Sequence, residues 1–204
     1  MRFLFLFFAF FSKGVEALPS KFYPVVYDSY LLEKKGHIPK AIAKMTSIYK
    51  TESDDYFVNF RLGQLFSKDQ KWNLAVDHFK KASRINSSSI DPWNESAALY
   101  LAQKNWSELE IACEEIIKRD EFNLAGNLNY SRALIELGKN PKALERLETM
   151  TKLYPLNKEI LELKATAHQK NEDMDQSKKS LMELILIDPE NSLAKTILSE
   201  QKAP

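Results

Sequence analysis

A single cysteine, Cys113, excludes an intramolecular disulfide, so the fold has to be held by packing. Five glycines among 204 residues leave no glycine-rich phosphate loop and disfavour a turn-rich β architecture. The three histidines, His37, His78 and His168, have no metal-ligand spacing on one helix, and no Ser/His/Asp order sits around a turn signature. They are expected to be surface or turn residues. Charge of one sign is lacking as well, with 29 basic and 28 acidic residues. That balance removes the electrostatic footprint of generic nucleic-acid or anionic-membrane binding. The chain is therefore expected to be non-enzymatic, without cofactor or metal and without a nucleic-acid partner.

Long hydrophobic runs are absent but for one, Phe3–Phe11, which follows Met1-Arg2 and precedes Val15 and Ala17. A short basic start, an apolar stretch of nine and small residues near Ala17 predict a secretory signal over 1–17, cleaved after Ala17. The run falls short of the ~20 apolar residues that span a bilayer, so no stable membrane insertion is expected after cleavage. With no cysteine nearby, a lipid anchor is not expected. Cleavage removes Arg2, Lys13 and Glu16 and leaves 27 residues of each sign. Asn86, Asn94, Asn105 and Asn129 each begin an N-x-S sequon. Two of these fall inside expected helices, which favours a periplasmic setting over an endoplasmic-reticulum lumen or the extracellular space.

What is present is leucine, alanine, lysine and glutamate, the composition of helices. It is arranged with a period. Between Asn59 and Ser87 stand Leu62-Gly63, Phe66, Ala75, Phe79 and Ala82, and steps of 34 residues from Ala75 meet Ala41, Leu109, Ala143 and Ser177. Helix-turn-helix units are expected at 22–55, 56–89, 90–123, 124–157 and 158–191, with a capping helix over 192–202. Pro39 suits the start of a second helix, and Asn140-Pro141 reads as an N-cap followed by the first helical residue. Pro155-Leu156-Asn157 and Pro189-Glu190-Asn191 end one helix and open the next. Ile38/Ile42 and Trp72/Val76 have the spacing of hydrophobic staples. Small residues at Gly63, Ala97, Ser131 and Ala165 let the helices of a unit approach closely, and Cys113 sits at a core position held elsewhere by Phe79 and Leu147. Lys80-Lys81, Glu114-Glu115 and Lys178-Lys179 read as solvated charge on second helices.

This pattern, Leu62-Gly63-x2-Phe66 followed by Ala75-x3-Phe79, resembles the tetratricopeptide repeat family over residues 22–204. The resemblance implies an all-α fold, a right-handed α-solenoid of about five helix-turn-helix units plus a C-terminal capping helix. Its first helices would line a concave groove that receives a peptide or helix of a protein partner. Carried onto this sequence, groove positions hold Tyr23, Tyr27 and Tyr30, then Phe57, Phe60, Arg61, Gln64 and Lys68. Later units place Asn94, Ala98, Leu128, Asn129, Arg132 and Glu136 there, and the fifth adds Glu159, Glu162, Thr166 and Lys170. Val26 and Tyr30 replace the lysine and asparagine of the clamp by which some family members hold acidic chaperone tails. The expectation is an aromatic wall followed by Arg61, Asn94, Asn129 and Arg132, able to bond a peptide backbone or pair with carboxylates. The rival reading folds the N-terminal aromatics onto the chain itself. The function expected is a scaffold or adaptor of the cell envelope or secretory compartment; the alternatives are an accessory factor of a cell-wall or envelope enzyme and a self-assembling structural protein.

Overall fold

The computed structural model describes residues 18–192, 194 and 195. The expected signal segment, 1–17, and most of the expected capping helix, 192–202, lie outside the described residues. A 3-10 turn, Ser20–Phe22, leads into ten α-helices, and no strand occurs among the described residues. The all-α reading holds.

The helices come in pairs: α1 Tyr23–Lys34 with α2 Ile38–Tyr49, α3 Tyr56–Lys68 with α4 Trp72–Ile85, and α5 Asp91–Ala102 with α6 Trp106–Arg119. They continue as α7 Leu124–Glu136 with α8 Asn140–Leu153 and α9 Lys158–Lys170 with α10 Met174–Ile187. Local chemistry sets these limits. Asp55, Asn123 and Asn157 accept the backbone N–H three residues on, at 2.8, 2.8 and 3.1 Å, and so cap α3, α7 and α9. Asn105 and Asp173 do the same for α6 and α10. The turn inside each pair is closed by a left-handed residue, at Gly36, Gln70, Lys104, Gly138 and Glu172, always 34 positions apart.

Two compact units divide the chain, residues 1–87 and 88–204. In the first, α1 packs on α2, α2 on α3 and α3 on α4. Leu18, Ala41, Met45, Ile48, Val58, Leu62 and Leu65 form its core, with Phe22, Val25 and Phe66 against it. Gly63 is needed for the closest approach, because a Cβ there would meet the Phe79 ring at 2.5 Å. In the second unit α5 to α10 pack in succession around Leu109, Cys113, Ile116, Leu134, Leu147 and Ile160. Ala194 closes a cluster with Leu161, Ala165, Leu181 and Leu184.

Several local expectations need correction. Asn140 is not the cap of α8: Lys139 holds that position without a side-chain bond. Asn140 is buried and donates from Nδ2 to the Lys170 carbonyl, 3.2 Å away at the end of α9. Ile38 and Trp72 are the first residues of their helices, so Ile38/Ile42 and Trp72/Val76 each fall within one helix and cannot be staples across a cap. His37 is exposed, but His78 and His168 are not surface residues. His78 stacks on Phe66 at 5.4 Å and His168 is buried in α9.

Candidate functional site

Along α1 the spacing of four and three places Tyr23, Tyr27 and Tyr30 on one helical face. They are 55, 64 and 45% exposed, high values for rings of that size. At the C-terminal end of this stripe the face changes character. The Tyr30 ring lies 3.7 Å from the Arg61 guanidinium of α3, and Arg61 Nη2 donates to Glu33 Oε2. Lys68 Nζ donates to the other oxygen of the same carboxylate. Burial would push the Glu33 carboxyl up, but the hydrogen bonds from Lys68 and Arg61 together outweigh it and hold the group below its ordinary value.

Arg61 is thus corrected from a groove cation to a buried one, 2% exposed, with Nε enclosed and without an acceptor. Lys68 keeps an exposed stem but shares the same carboxylate. Phe57 packs on the core of the first unit, while Phe60 stacks on Tyr56 at 5.9 Å and tilts against Phe79 at 5.8 Å. Gln64 is half-buried beside them. Glu33, which organises the cluster, escaped sequence reasoning because a lone acidic residue late in a helix carries no signal until its partner is placed.

In the second unit Asn94 and Ala98 are exposed on α5, and Leu128 is buried. Arg132 does not reach outward for a partner's carboxylate: Nη1 donates to Asn129 Oδ1 at 2.9 Å and Nη2 to Glu159 on α9. Lys170 pairs with Glu136 at 3.0 Å, 34 positions earlier. Glu162 accepts from Asn191 at 2.6 Å and, at its carbonyl, from Thr166. Arg132 with Glu159 and Lys170 with Glu136 join the consecutive first helices α7 and α9. The physical reason is the stacking itself, which sets side chains about one repeat apart beside each other.

Second helices hold arrangements that the charge pattern hid. A cleft of about 450 Å³ is lined by Glu114, Ile117, Lys118, Tyr130, Lys142 and Arg146, with Glu145 and Thr149. Tyr130 Oη donates to Glu114 at 2.9 Å and Lys142 lies 3.3 Å from the same carboxylate, so Glu114 is more than a solvated charge. Two buried asparagines, Asn59 and Asn127, recur 68 positions apart. Each ties the preceding turn through two carbonyls: Ser53 and Asp55 for Asn59, Glu121 and Asn123 for Asn127. Each also meets a residue of the paired helix, His78 or Arg146. Period analysis on small and apolar positions alone passes over them.

Burial pushes the Cys113 thiol up to about 12, which makes it an inert core group. Among the described residues no group of three potential metal ligands converges, and no helix is long and apolar enough to cross a membrane.

No protein-family model and no curated protein matches the chain. Solved structures do. A tetratricopeptide repeat protein, YrrB, described as having an unusual peptide-binding site, superposes with a TM-score of 0.75 at 17% identity, covering 90% of this chain and 94% of that one. A tetratricopeptide repeat protein from Parabacteroides merdae gives 0.76 at 14% identity over 89% of this chain and 72% of its own. MamA gives 0.72 at 12% identity, over 90 and 96%. At such identities the likeness speaks for architecture, and with the 34-residue period and the paired helices it establishes that this chain has the tetratricopeptide repeat fold.

Proposed function

We propose that the chain is a non-enzymatic scaffold that docks a segment of a protein partner against the tyrosine face of α1. The observation that carries this reading is the exposure of Tyr23, Tyr27 and Tyr30 in one stripe. Tyrosine gives large contact area at low entropic cost and a hydroxyl for a partner's backbone. The peptide-binding site in the description of YrrB supports the same use of the fold. The charge inventory refines it. Arg61 and Lys68 are both occupied by Glu33, so the wall offers rings and hydroxyls before it offers charge. Docking should then depend weakly on salt, unlike capture of an acidic tail.

The test is crosslinking with mass spectrometry in the native compartment, comparing the wild type with Tyr23→Ser/Tyr27→Ser. Both residues are more than half exposed, so the substitutions should leave melting nearly unchanged while the crosslinked partner is lost. An undiminished partner set would overturn the assignment. What supports an exported, periplasmic setting is the N-terminal sequence, the apolar run Phe3–Phe11 with Val15 and Ala17 behind it. N-terminal sequencing of the mature protein that began at Met1 would refute that part.

A further inference from the structure

The cleft that Glu114, Tyr130 and Arg146 share lies wholly within the second compact unit, and comparison of equal positions along the repeat shows what sets it apart. Helical spacing builds its walls. Glu114, Ile117 and Lys118 come from α6 and Lys142 and Arg146 from α8, each set at steps of three and four along one face. Tyr130 enters from α7 and is only 7% exposed. At its position the other units carry Asp28, Leu62, Ser96 and Lys164, and at the Arg146 position Lys44, His78, Ala112 and Ser180. Only the α7–α8 pair combines a tyrosine with an arginine at these two places. The α3–α4 pair stacks with Leu62 and His78 instead, so the repeat itself requires neither.

The charges of the cleft are not equally occupied. Glu114 accepts from Tyr130 Oη at 2.9 Å and lies 3.3 Å from Lys142, which stands 3.8 Å from Glu110 as well. Lys118 pairs with Glu115. Arg146 differs, because its acceptors are neutral. Its Nε donates to Oδ1 of the fully buried Asn127, and Nη2 donates to the Glu121 carbonyl at 3.1 Å. Those two donors form one edge of the planar guanidinium fork. The opposite edge, Nη1 with the second N–H of Nη2, has no acceptor among the described residues, and the buried asparagine fixes the orientation of the group. Glu145, the other carboxylate at the cleft, is exposed, where water attenuates its charge. We propose that the cleft binds a small organic monoanion, a carboxylate carried on an apolar body. The carboxylate takes the open edge of Arg146 in a two-bond, charge-assisted contact. Ile117, the Tyr130 ring and the aliphatic stems of Lys118 and Lys142 receive the body. One uncompensated guanidinium among charges that are already paired calls for a single negative charge, which favours a carboxylate over a phosphate dianion. The volume, about 450 Å³, falls in the ~300–1,000 Å³ range of small-ligand sites.

Titration of the isotope-labelled full chain, followed by its backbone amide shifts, tests this with hydrocinnamate, with the neutral isostere hydrocinnamide and with inorganic phosphate. Concentrations up to about 10 mM cover the affinity expected of a ligand of about 11 non-hydrogen atoms. Hydrocinnamate should give saturable shifts centred on Ile117, Tyr130 and Thr149. The amide should bind at least about tenfold more weakly, having no charge to offer the guanidinium. Phosphate, which has no apolar body, should not saturate in the same range. Arg146→His separates binding from folding, because His78 already meets Asn59 at 3.2 Å in the equal place of the α3–α4 pair. That variant should melt close to the wild type and lose the hydrocinnamate shifts. No saturable shifts, equal affinity for acid and amide, phosphate bound as tightly as hydrocinnamate, or retained binding by folded Arg146→His would each overturn the proposal. The comparison of acid with amide uses the wild type alone and decides the matter even where the variant fails to fold.

Discussion

At the turn between paired helices φ is +77° at Gly36 and +73° at Gly138, where nothing would touch an added Cβ. Gln70, Lys104 and Glu172 adopt the same conformation, at φ 59, 53 and 60°, against the preference of their side chains. A left-handed residue other than glycine costs about 1–2 kcal/mol. Gly138→Ala should therefore lower unfolding free energy by about 1 kcal/mol in urea titration. Gly63 is a different case. It lies in α3 in ordinary helical conformation, and its added methyl would strike the Phe79 ring at 2.5 Å. Gly63→Ala should cost about 1–3 kcal/mol through overpacking, and Gly63→Ala/Phe79→Leu should recover part of it by making room. A loss at Gly63 unaffected by the second substitution would show that backbone, not packing, sets the requirement. Ala143, fully buried in α8, tests the seam in the same way, since Ala143→Trp has no space to enter.

Between elements, the strongest constraint in the first unit is the cluster that joins α1 to α3. Arg61 has a side chain 3% exposed, and Glu33, at 14%, is its acid partner. Removing one partner of a buried pair leaves an uncompensated charge, worth about 3–5 kcal/mol. Glu33→Gln should fall toward the lower end of that ~3–5 kcal/mol range, because the amide can still accept one hydrogen bond. Glu33→Gln/Arg61→Met should be milder than the single change, and equal losses in urea titration would refute the pairing. This cluster also marks the limit of what residues in order can tell. Ala41, Ala75, Ala143 and Gly63 announce themselves, because a repeated need for small volume at a fixed interval is a one-dimensional signal. Asn157 does so too, through the Pro155-Leu156-Asn157 turn that recurs at Pro189-Glu190-Asn191, whereas Asp55 and Asn123, at the same place in their units, show as caps only once the helices are set. Arg61 and Arg132 read as outward cations because their partners, Glu33 and Glu159, stand 28 positions before one and 27 after the other, on another helix. Tyr23 and Tyr27 could be placed on a face, but whether that face is covered is a property of packing alone.

Across the molecule, the two compact units each enclose a histidine, and this gives the chain a pH dependence that neither composition nor period shows. His78 is held below its ordinary value chiefly by burial, with the Lys81 charge adding to it, and His168 is lowered chiefly by burial. A histidine whose folded pKa lies below its unfolded one is neutral in the fold, so the unfolded chain binds the extra proton. Stability is then complete above the unfolded value of 6.5 and declines as pH falls through it. The carboxylates act in a separate window. Glu33, Glu114 and Glu115 are all held below 4.5, and their contribution persists until pH falls through that range. Urea titrations should therefore show a first loss between about pH 7 and 5.5 and a second below about pH 4.5. His78→Asn separates the first loss into its parts. Asn59 already donates its amide to the Ser53 and Asp55 carbonyls, so its oxygen must accept, and His78 Nδ1, 3.2 Å away, must donate. Asparagine keeps a donor near that place without titrating. The variant should be less stable at pH 7, having lost the stacking on Phe66 and Tyr49, yet its stability should fall less steeply between about pH 7 and 5.5. An unchanged slope would place the whole acid sensitivity of that window on His168.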